Sequence, residues 1–98
     1  MNIEKECNGA VITLKVSGRL DTTTAPALET AVSEKIGSCD QLILDFAALE
    51  YISSAGLRVI LKAQKAMSAK DGMKLLHVNE TIMEIFEITG FSDILTIE

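Results

Sequence analysis

A near-continuous apolar run from Gln41 to Phe46 constrains the fold of this chain more than any other segment. Such runs are typical of strands covered on both sides, as in parallel sheets. An alternating strand pattern, Val11–Val16, and a helical pattern precede the run, and a second helical pattern follows it, from Ser53-Ser54 to Lys70. A strand, a helix and a second strand in this order predict a parallel pair joined by a right-handed crossover.

The rest of the chain adds a hairpin before these units and a further unit after them. Ile3 to Cys7 alternates in polarity, and the Asn8-Gly9 pair that follows is the strongest short hairpin signal, because both residues tolerate positive φ. Ser17-Gly18 is expected to bend the chain into a polar loop that ends at Thr24. The remaining expected boundaries are a first helix capped by Thr24, with Pro26 in its first turn and Gly37 at its end, a strand Met73–Val78, a third helix from Asn79 to Gly90, and a last strand Ile94–Ile97.

Composition limits the class of protein. Ninety-eight residues suit one domain over 1–98, and 48% hydrophobic residues with a single proline predict a folded core. The net charge of −5 argues against binding to a nucleic-acid backbone. Cys7 and Cys39 have neither CxxC nor metal-type spacing, which indicates free thiols in a reducing cytosol. No apolar run approaches the roughly 20 residues that span a bilayer, so we expect a cytoplasmic protein without membrane insertion.

The chain offers little for catalysis. Its one histidine, His77, is expected at a strand end rather than beside Ser54. The Ser53-Ser54-Ala55-Gly56 stretch lacks the Gly-x-Ser-x-Gly elbow that exposes a hydrolase serine. No His/Cys/carboxylate cluster indicates zinc, and no Gly-rich loop indicates a nucleotide. The sequence therefore predicts a protein that is not an enzyme and uses no metal or cofactor.

The Ser53-Ser54 pair at the start of the second helix has two interpretations. Serine is a favoured N-cap, because its oxygen accepts a hydrogen bond from an unpaired backbone N–H. A helix start also favours an anion, so one of the serines is a candidate for phosphorylation. On residue chemistry alone, a capped helix is the commoner outcome.

Charged residues near this pair are open to similar alternatives. Asp21 and Asp45 are expected at the carboxyl-end side of the sheet, near the serines, although each is also explained by local bonds to backbone N–H groups. Arg58, Lys62 and Lys65 share one helix face. That face is either solvated or a docking surface beside the serines.

Taken together, these residues resemble a known family. Asp45-Phe46 followed by Leu49–Leu57 resembles the signature of bacterial anti-sigma factor antagonists, which are single-domain proteins of the STAS class. The loop Gly18–Asp21 followed by Thr24–Pro26 resembles a second, weaker segment of the family, and the similarity extends over essentially the whole chain. The resemblance implies an α/β fold: a mixed sheet, made of an N-terminal hairpin plus βα units, with helices packed largely on one face.

The resemblance also implies partner switching. The unphosphorylated protein would bind an anti-sigma factor that is also a serine kinase, and so release a sigma factor. Phosphorylation would dissociate the complex, and a metal-dependent serine phosphatase would reverse it. The family's acceptor precedes a small residue and a Gly-Leu pair, which places that role on Ser54. Many members have Asp where this chain has Ser53, so Ser53 is either a competing acceptor or a cap that leaves Ser54 free.

The partner-binding surface expected from the resemblance lies around Ser54. It consists of Asp21, Thr22, Thr24, Ser53, Ala55, Gly56, Leu57, Arg58 and Lys62. We expect the free protein to be a monomer without direct nucleic-acid binding. An alternative function is a STAS accessory subunit that docks on a membrane lipid-transport complex without phosphorylation. A nucleotide-binding activity is a third hypothesis, for which the sequence offers no phosphate cradle.

Overall fold

A computed structural model describes residues 1–98 as one five-stranded sheet with three α-helices. The elements are β1 Asn2–Asn8, β2 Val11–Leu20, α1 Ala25–Ile36, β3 Gln41–Ile52, α2 Ser54–Met67, β4 Met73–Leu76, α3 Glu80–Thr89, a 3-10 turn Phe91–Asp93, and β5 Thr96–Ile97. The strand order is β1-β2-β3-β4-β5; β1 pairs antiparallel to β2, and every other neighbouring pair is parallel. The predicted mixed sheet of a hairpin followed by βα units is confirmed.

The helices cover one face of this sheet. Alternate residues of β2 and β3 are buried, and they form one cluster with side chains from all three helices, such as Leu28, Ile60 and Phe86. The intervening side chains, including Ile43 and Asp45, are only partly buried. The expectation that β3 would be covered on both sides is therefore wrong. Its apolar run reflects one buried face plus a half-exposed Ile43 on the other.

β3 is longer than the sequence pattern indicated, because two irregularities interrupt its alternation. The pairing with β2 runs Lys15 with Asp45 and Ser17 with Ala48, then Gly18 with Leu49 and Arg19 with Tyr51. From Lys15 to Ser17, and again from Gly18 to Arg19, β3 advances by one residue more than β2, as a β-bulge does. Buried positions consequently fall three residues apart at Phe46, Leu49 and Ile52 instead of two. The expected strand end at Phe46 was wrong for this reason.

Other expected boundaries shift in the same way. β2 continues through Ser17 and Gly18 to Leu20, because Gly18 adopts a positive φ of 89° without leaving the ladder. α2 ends at Met67 rather than Lys70, whose ammonium instead donates to main-chain carbonyls of Ile36 and Cys39.

At the C-terminal end, β4 ends at Leu76 rather than Val78, because His77 turns the chain with a φ of 58°. β5 begins at Thr96 rather than Ile94, after the 3-10 turn.

Several turn and cap predictions are confirmed. Gly9 has a positive φ of 63° in the hairpin, but the turn lies one residue later than predicted, because Asn8 pairs with Val11 without a positive φ and Gly9 and Ala10 connect the strands. Asn79 caps α3 by accepting a hydrogen bond from the N–H of Ile82 at 2.9 Å. Gly90 ends that helix in the left-handed conformation. Phe91 then packs beside Phe86, with ring centroids 6.5 Å apart, as expected for this type of helix end.

Candidate functional site

The two serines before α2 have different environments. Ser53 has extended backbone dihedrals, and its Oγ accepts a long hydrogen bond, 3.4 Å, from the N–H of Gly56. Ser54 is the first residue of α2 and is exposed, and its side chain forms no hydrogen bond within the chain. Ser53 therefore acts as the helix cap, and the Ser54 hydroxyl is free.

The loop after β2 lies directly beside these serines. Leu20 and Ile52 are paired at the ends of β2 and β3, and the N–H of Ser53 donates to the carbonyl of Leu20 at 2.8 Å. Because parallel strands end at the same edge of the sheet, Asp21 and Ser53 begin their loops side by side.

Asp21 organises its loop. Its Oδ1 accepts hydrogen bonds from the Thr23 hydroxyl at 2.7 Å and from the N–H groups of Thr23 and Thr24 at 3.0 and 3.2 Å. The Thr23 hydroxyl bond is the largest influence on the carboxyl, and the pKa of Asp21 is lowered from its ordinary value. Asp21 is thus fixed as a carboxylate, with one oxygen committed to the turn.

Thr24 stands at the N-cap position of α1, as predicted, but does not cap the helix with its side chain. Its hydroxyl accepts from the N–H of Asp21 and donates to the carbonyl of Arg19, both at 2.8 Å. Thr24 therefore ties the loop to the end of β2, and Thr22 is left exposed at the surface.

Gly56 allows α2 to pack closely on the strand ends. A Cβ at this position would lie 2.7 Å from Leu20 Cγ and 2.9 Å from Ile52 Cγ1. Gly56 and Leu57 are both buried, so the structure places these two expected partner-binding residues beneath the surface. Gly56 and Leu57 determine how α2 packs on the sheet, and only their exposed neighbours are accessible to another molecule.

The exposed neighbours on α2 carry positive charge. Arg58 and Lys62 are exposed, and Ala55 is partly exposed. Lys62 forms an ion pair with Glu29 of α1, whereas Arg58 takes part in no ion pair within the chain. Arg58 is therefore the available cation nearest to Ser54 on this helix.

Asp45 does not lie at this site, contrary to expectation. It stands in the middle of β3, because that strand continues to Ile52. Its Oδ1 is 2.9 Å from His77 Nδ1 and accepts from the N–H of Ala47 at 3.0 Å. Partial burial opposes ionisation, but these bonds outweigh it, and the pKa of Asp45 is lowered from its ordinary value. The pair links β3 to the loop after β4.

One pair of residues at the site was not predicted. The Arg19 guanidinium lies over the ring of Tyr51, 4.4 Å from its centroid, and Arg19 Nε is 4.0 Å from Asp21 Oδ2. Arg19 and Tyr51 are neighbours only because of the second irregularity in β3, so alternation in the sequence gave no signal for the contact. Both side chains are exposed, and Arg19 connects the pair to Asp21 at the end of β2.

Two further properties of the structure bear on function. No three His, Cys, Asp or Glu side chains come together as a potential metal-binding group. None of the helices combines the length and apolar character needed to cross a bilayer.

Comparison with known proteins identifies the family. The STAS domain model matches residues 2–98. The anti-sigma-B factor antagonist of Staphylococcus epidermidis is 31% identical over 97 residues, covering 97% of this chain and 90% of that protein. The anti-sigma F factor antagonist of Paenibacillus polymyxa is 29% identical over 100 residues, covering 99% and 86%.

Solved structures agree with this result. An anti-sigma factor antagonist from Mycobacterium paratuberculosis superposes with a TM-score of 0.89 at 25% identity, covering 98% of this chain and 83% of that one. SpoIIAA has the same fold, with TM-scores of 0.84 for its unphosphorylated form and 0.78 for the phosphorylated form from Bacillus. The unphosphorylated form is 19% identical, and the match covers 99% of this chain and 88% of that one. The phosphorylated form is 20% identical, and the match covers 99% of this chain and 91% of that one. The chain belongs to the STAS domain family, and its relatives are anti-sigma factor antagonists.

Proposed function

We propose that this protein is an anti-sigma factor antagonist that works by partner switching. In its unphosphorylated form it binds an anti-sigma factor that is also a serine kinase, and this binding releases a sigma factor. Phosphorylation of Ser54 dissociates the complex, and a metal-dependent serine phosphatase restores the binding form. The protein itself acts as a cytoplasmic binding module rather than an enzyme.

The observation that carries this proposal is the division of roles between the two serines. Ser54 is exposed and unbonded at the first position of α2, while Ser53 provides the cap. A kinase can therefore reach the Ser54 hydroxyl without breaking a bond that holds the helix. The names of the relatives, as antagonists of anti-sigma factors, support the identity of the partner. SpoIIAA, known in phosphorylated and unphosphorylated forms, is a precedent for the modification in this fold.

The exposed part of the expected surface supplies the contacts. Thr22 from the loop after β2 lines one shallow cleft together with Arg58 and Lys62 of α2, and the partly exposed Asp21 is the neighbour of Thr22. A partner that covers this surface would exclude water from the Ser54 side chain. A phosphate there would add more negative charge to the interface than the fitted surfaces have cations to pair with, and a buried charge left without a counter-charge costs about 3–5 kcal/mol. This penalty lowers affinity roughly a hundred- to several-thousand-fold, enough for an on/off response.

The fold itself should tolerate the phosphate. A helix N-terminus stabilises negative charge, by about 0.3–1 kcal/mol at an exposed position. We therefore expect phosphorylation to act on the interface and to leave the domain folded.

Phosphosite mapping tests the assignment of Ser54. The protein is incubated with Mg-ATP and a candidate anti-sigma factor kinase, and the product is analysed by mass spectrometry. We expect one phosphate on Ser54 and none on Ser54→Ala.

Ser53→Asp is the matched control, because aspartate retains an N-cap acceptor and removes the competing hydroxyl. This variant should be phosphorylated like the wild type. A phosphate on Ser53, or modification of Ser54→Ala at the wild-type rate, would contradict the assignment.

A further inference from the structure

We propose that Arg58 binds the phosphate of phosphorylated Ser54 and that this pairing removes Arg58 from the partner-binding surface. The inference rests on the proposed modification of Ser54 and extends it to the residue that receives the charge. It makes phosphorylation act twice at one interface, by adding a negative charge and by occupying a cation.

The positions of the two side chains on α2 support this contact. Ser54 and Arg58 are four residues apart, and both are exposed. Residues at this spacing are neighbours on a helix surface, with Cβ atoms about 5–6 Å apart. A guanidinium matches the oxygens of a phosphate and binds them through two parallel hydrogen bonds. The contact therefore needs only a side-chain rotation and no movement of the backbone.

The charges around Arg58 leave it available for this role. Lys62, one turn further along α2, is already held by Glu29. Arg19, on the far side of the loop, is stacked on Tyr51 and lies 4.0 Å from the Asp21 carboxylate. Arg58 forms no ion pair within the chain, and it is the cation one turn along α2 from the Ser54 hydroxyl.

The same geometry separates Ser54 from Ser53. The residue four positions after Ser53 is Leu57, which is buried, and the Ser53 Oγ is directed at the N–H of Gly56. A phosphate on Ser53 would have no cation at helical spacing. Arg58 therefore distinguishes the two adjacent hydroxyls.

The pairing has a consequence for binding. In the unphosphorylated protein, Arg58 is free to form an ion pair with an acidic side chain of the partner, because an exposed guanidinium binds carboxylates. Once Ser54 is phosphorylated, that contact competes with the intramolecular phosphate.

The test uses protein carrying phosphoserine at position 54 through genetic incorporation, so that no kinase is required. ³¹P NMR titrations and thermal melts are recorded for the wild type and for Arg58→Gln, each with and without the phosphate. Lys65→Gln is the matched control, because Lys65 is exposed on the same helix but three turns from Ser54. A second set carries phosphoserine at position 53.

We expect the phosphate at position 54 to have a lower pKa in the wild type and in Lys65→Gln than in Arg58→Gln. Relative to the unphosphorylated protein, the phosphate should leave Tm about 2 °C higher when Arg58 is present than when it is replaced. This difference should vanish in high salt. Phosphoserine at position 53 should show no dependence on Arg58. Identical titrations and Tm changes with and without Arg58 would overturn the inference. Absence of kinase modification at Ser54 would instead refute the proposed function.

Discussion

Replacing Gly56 with alanine tests how closely α2 is seated on the strands that carry the site. The added methyl carbon would lie 2.7 Å from Leu20 Cγ, 2.9 Å from Ile52 Cγ1 and 3.0 Å from Leu20 Cδ2. Both neighbours are buried, at 0% and 2% exposure, so neither side chain can rotate out into solvent. The helix must therefore move away from the sheet, or the two strand ends must move.

Two opposing effects set the magnitude. Alanine is favoured over glycine within a helix by at most about 1 kcal/mol. Overpacking of a close-packed core costs typically about 1–3 kcal/mol, and contacts below 3 Å with two buried residues belong in the upper half of that range. We expect a net loss of about 1–2 kcal/mol in the free energy of unfolding, or roughly 5–10 °C in Tm for a domain of this size.

Thermal and urea unfolding of Gly56→Ala, with Gly37→Ala as the control, measure this effect. Gly37 already has helical dihedrals, φ −71° and ψ −18°, and a Cβ there would meet no atom within 4 Å. Gly37→Ala should therefore be neutral or stabilising by about 0.4–1 kcal/mol. If Gly56→Ala proves as stable as Gly37→Ala, then glycine is not required at position 56 for the packing of α2 on the strand ends.

Three further predictions concern individual side chains. Asp21→Asn retains the Oδ1 acceptor of the turn, so it should melt close to the wild type while weakening partner binding. Asp21→Ala should also lower Tm, because the bonds from Thr23 and Thr24 are lost. Equal partner binding by Asp21→Asn and the wild type would assign Asp21 to the turn alone. Because the folded-state pKa values of Asp21 and Asp45 are lowered, both carboxylates stabilise the fold above about pH 4 and lose that contribution as the pH falls further. Acid unfolding followed by circular dichroism should therefore be less steep in Asp21→Asn, and an unchanged pH profile would contradict this. Burial raises the pKa of the Cys39 thiol, so a thiol reagent at neutral pH should modify exposed Cys7 first; simultaneous modification of both in the folded protein would contradict the structure.

The parts of the fold that could be predicted from the sequence are those determined by local chemistry. Gly9 supplies the positive φ of the hairpin turn, Asn79 caps α3, and Gly90 ends it, because each residue type meets a specific backbone requirement at that point. The alternation of Val11–Val16 was sufficient to identify the buried face of β2.

The length of β3 could not be predicted in this way. Irregular pairing with β2 changes the spacing of buried residues after Phe46 from two to three, which removes the alternation that marks a strand. The misplacement of Asp45 and the missed contact between Arg19 and Tyr51 both follow from that error. The register of two strands depends on their whole length, so no short sequence pattern contains it.

The candidate site was predicted in outline through Ser53, Ser54 and the neighbouring loop. The division of roles between the serines required coordinates, because both are favourable N-cap residues and only the dihedrals and the bond to Gly56 distinguish them. The burial of Gly56 and Leu57 likewise follows from how α2 packs on the ends of β2 and β3.

The most direct test of the central claim is the affinity of the cognate anti-sigma factor for this protein with and without phosphoserine at position 54. Isothermal titration calorimetry, paired with thermal melts of the same samples, separates an effect on the interface from an effect on the fold. We expect affinity to fall a hundredfold or more, while Tm stays within a few degrees of the unmodified protein. Equal affinity for the two forms, or loss of affinity accompanied by unfolding, would contradict a phosphate switch that acts on the surface around Ser54.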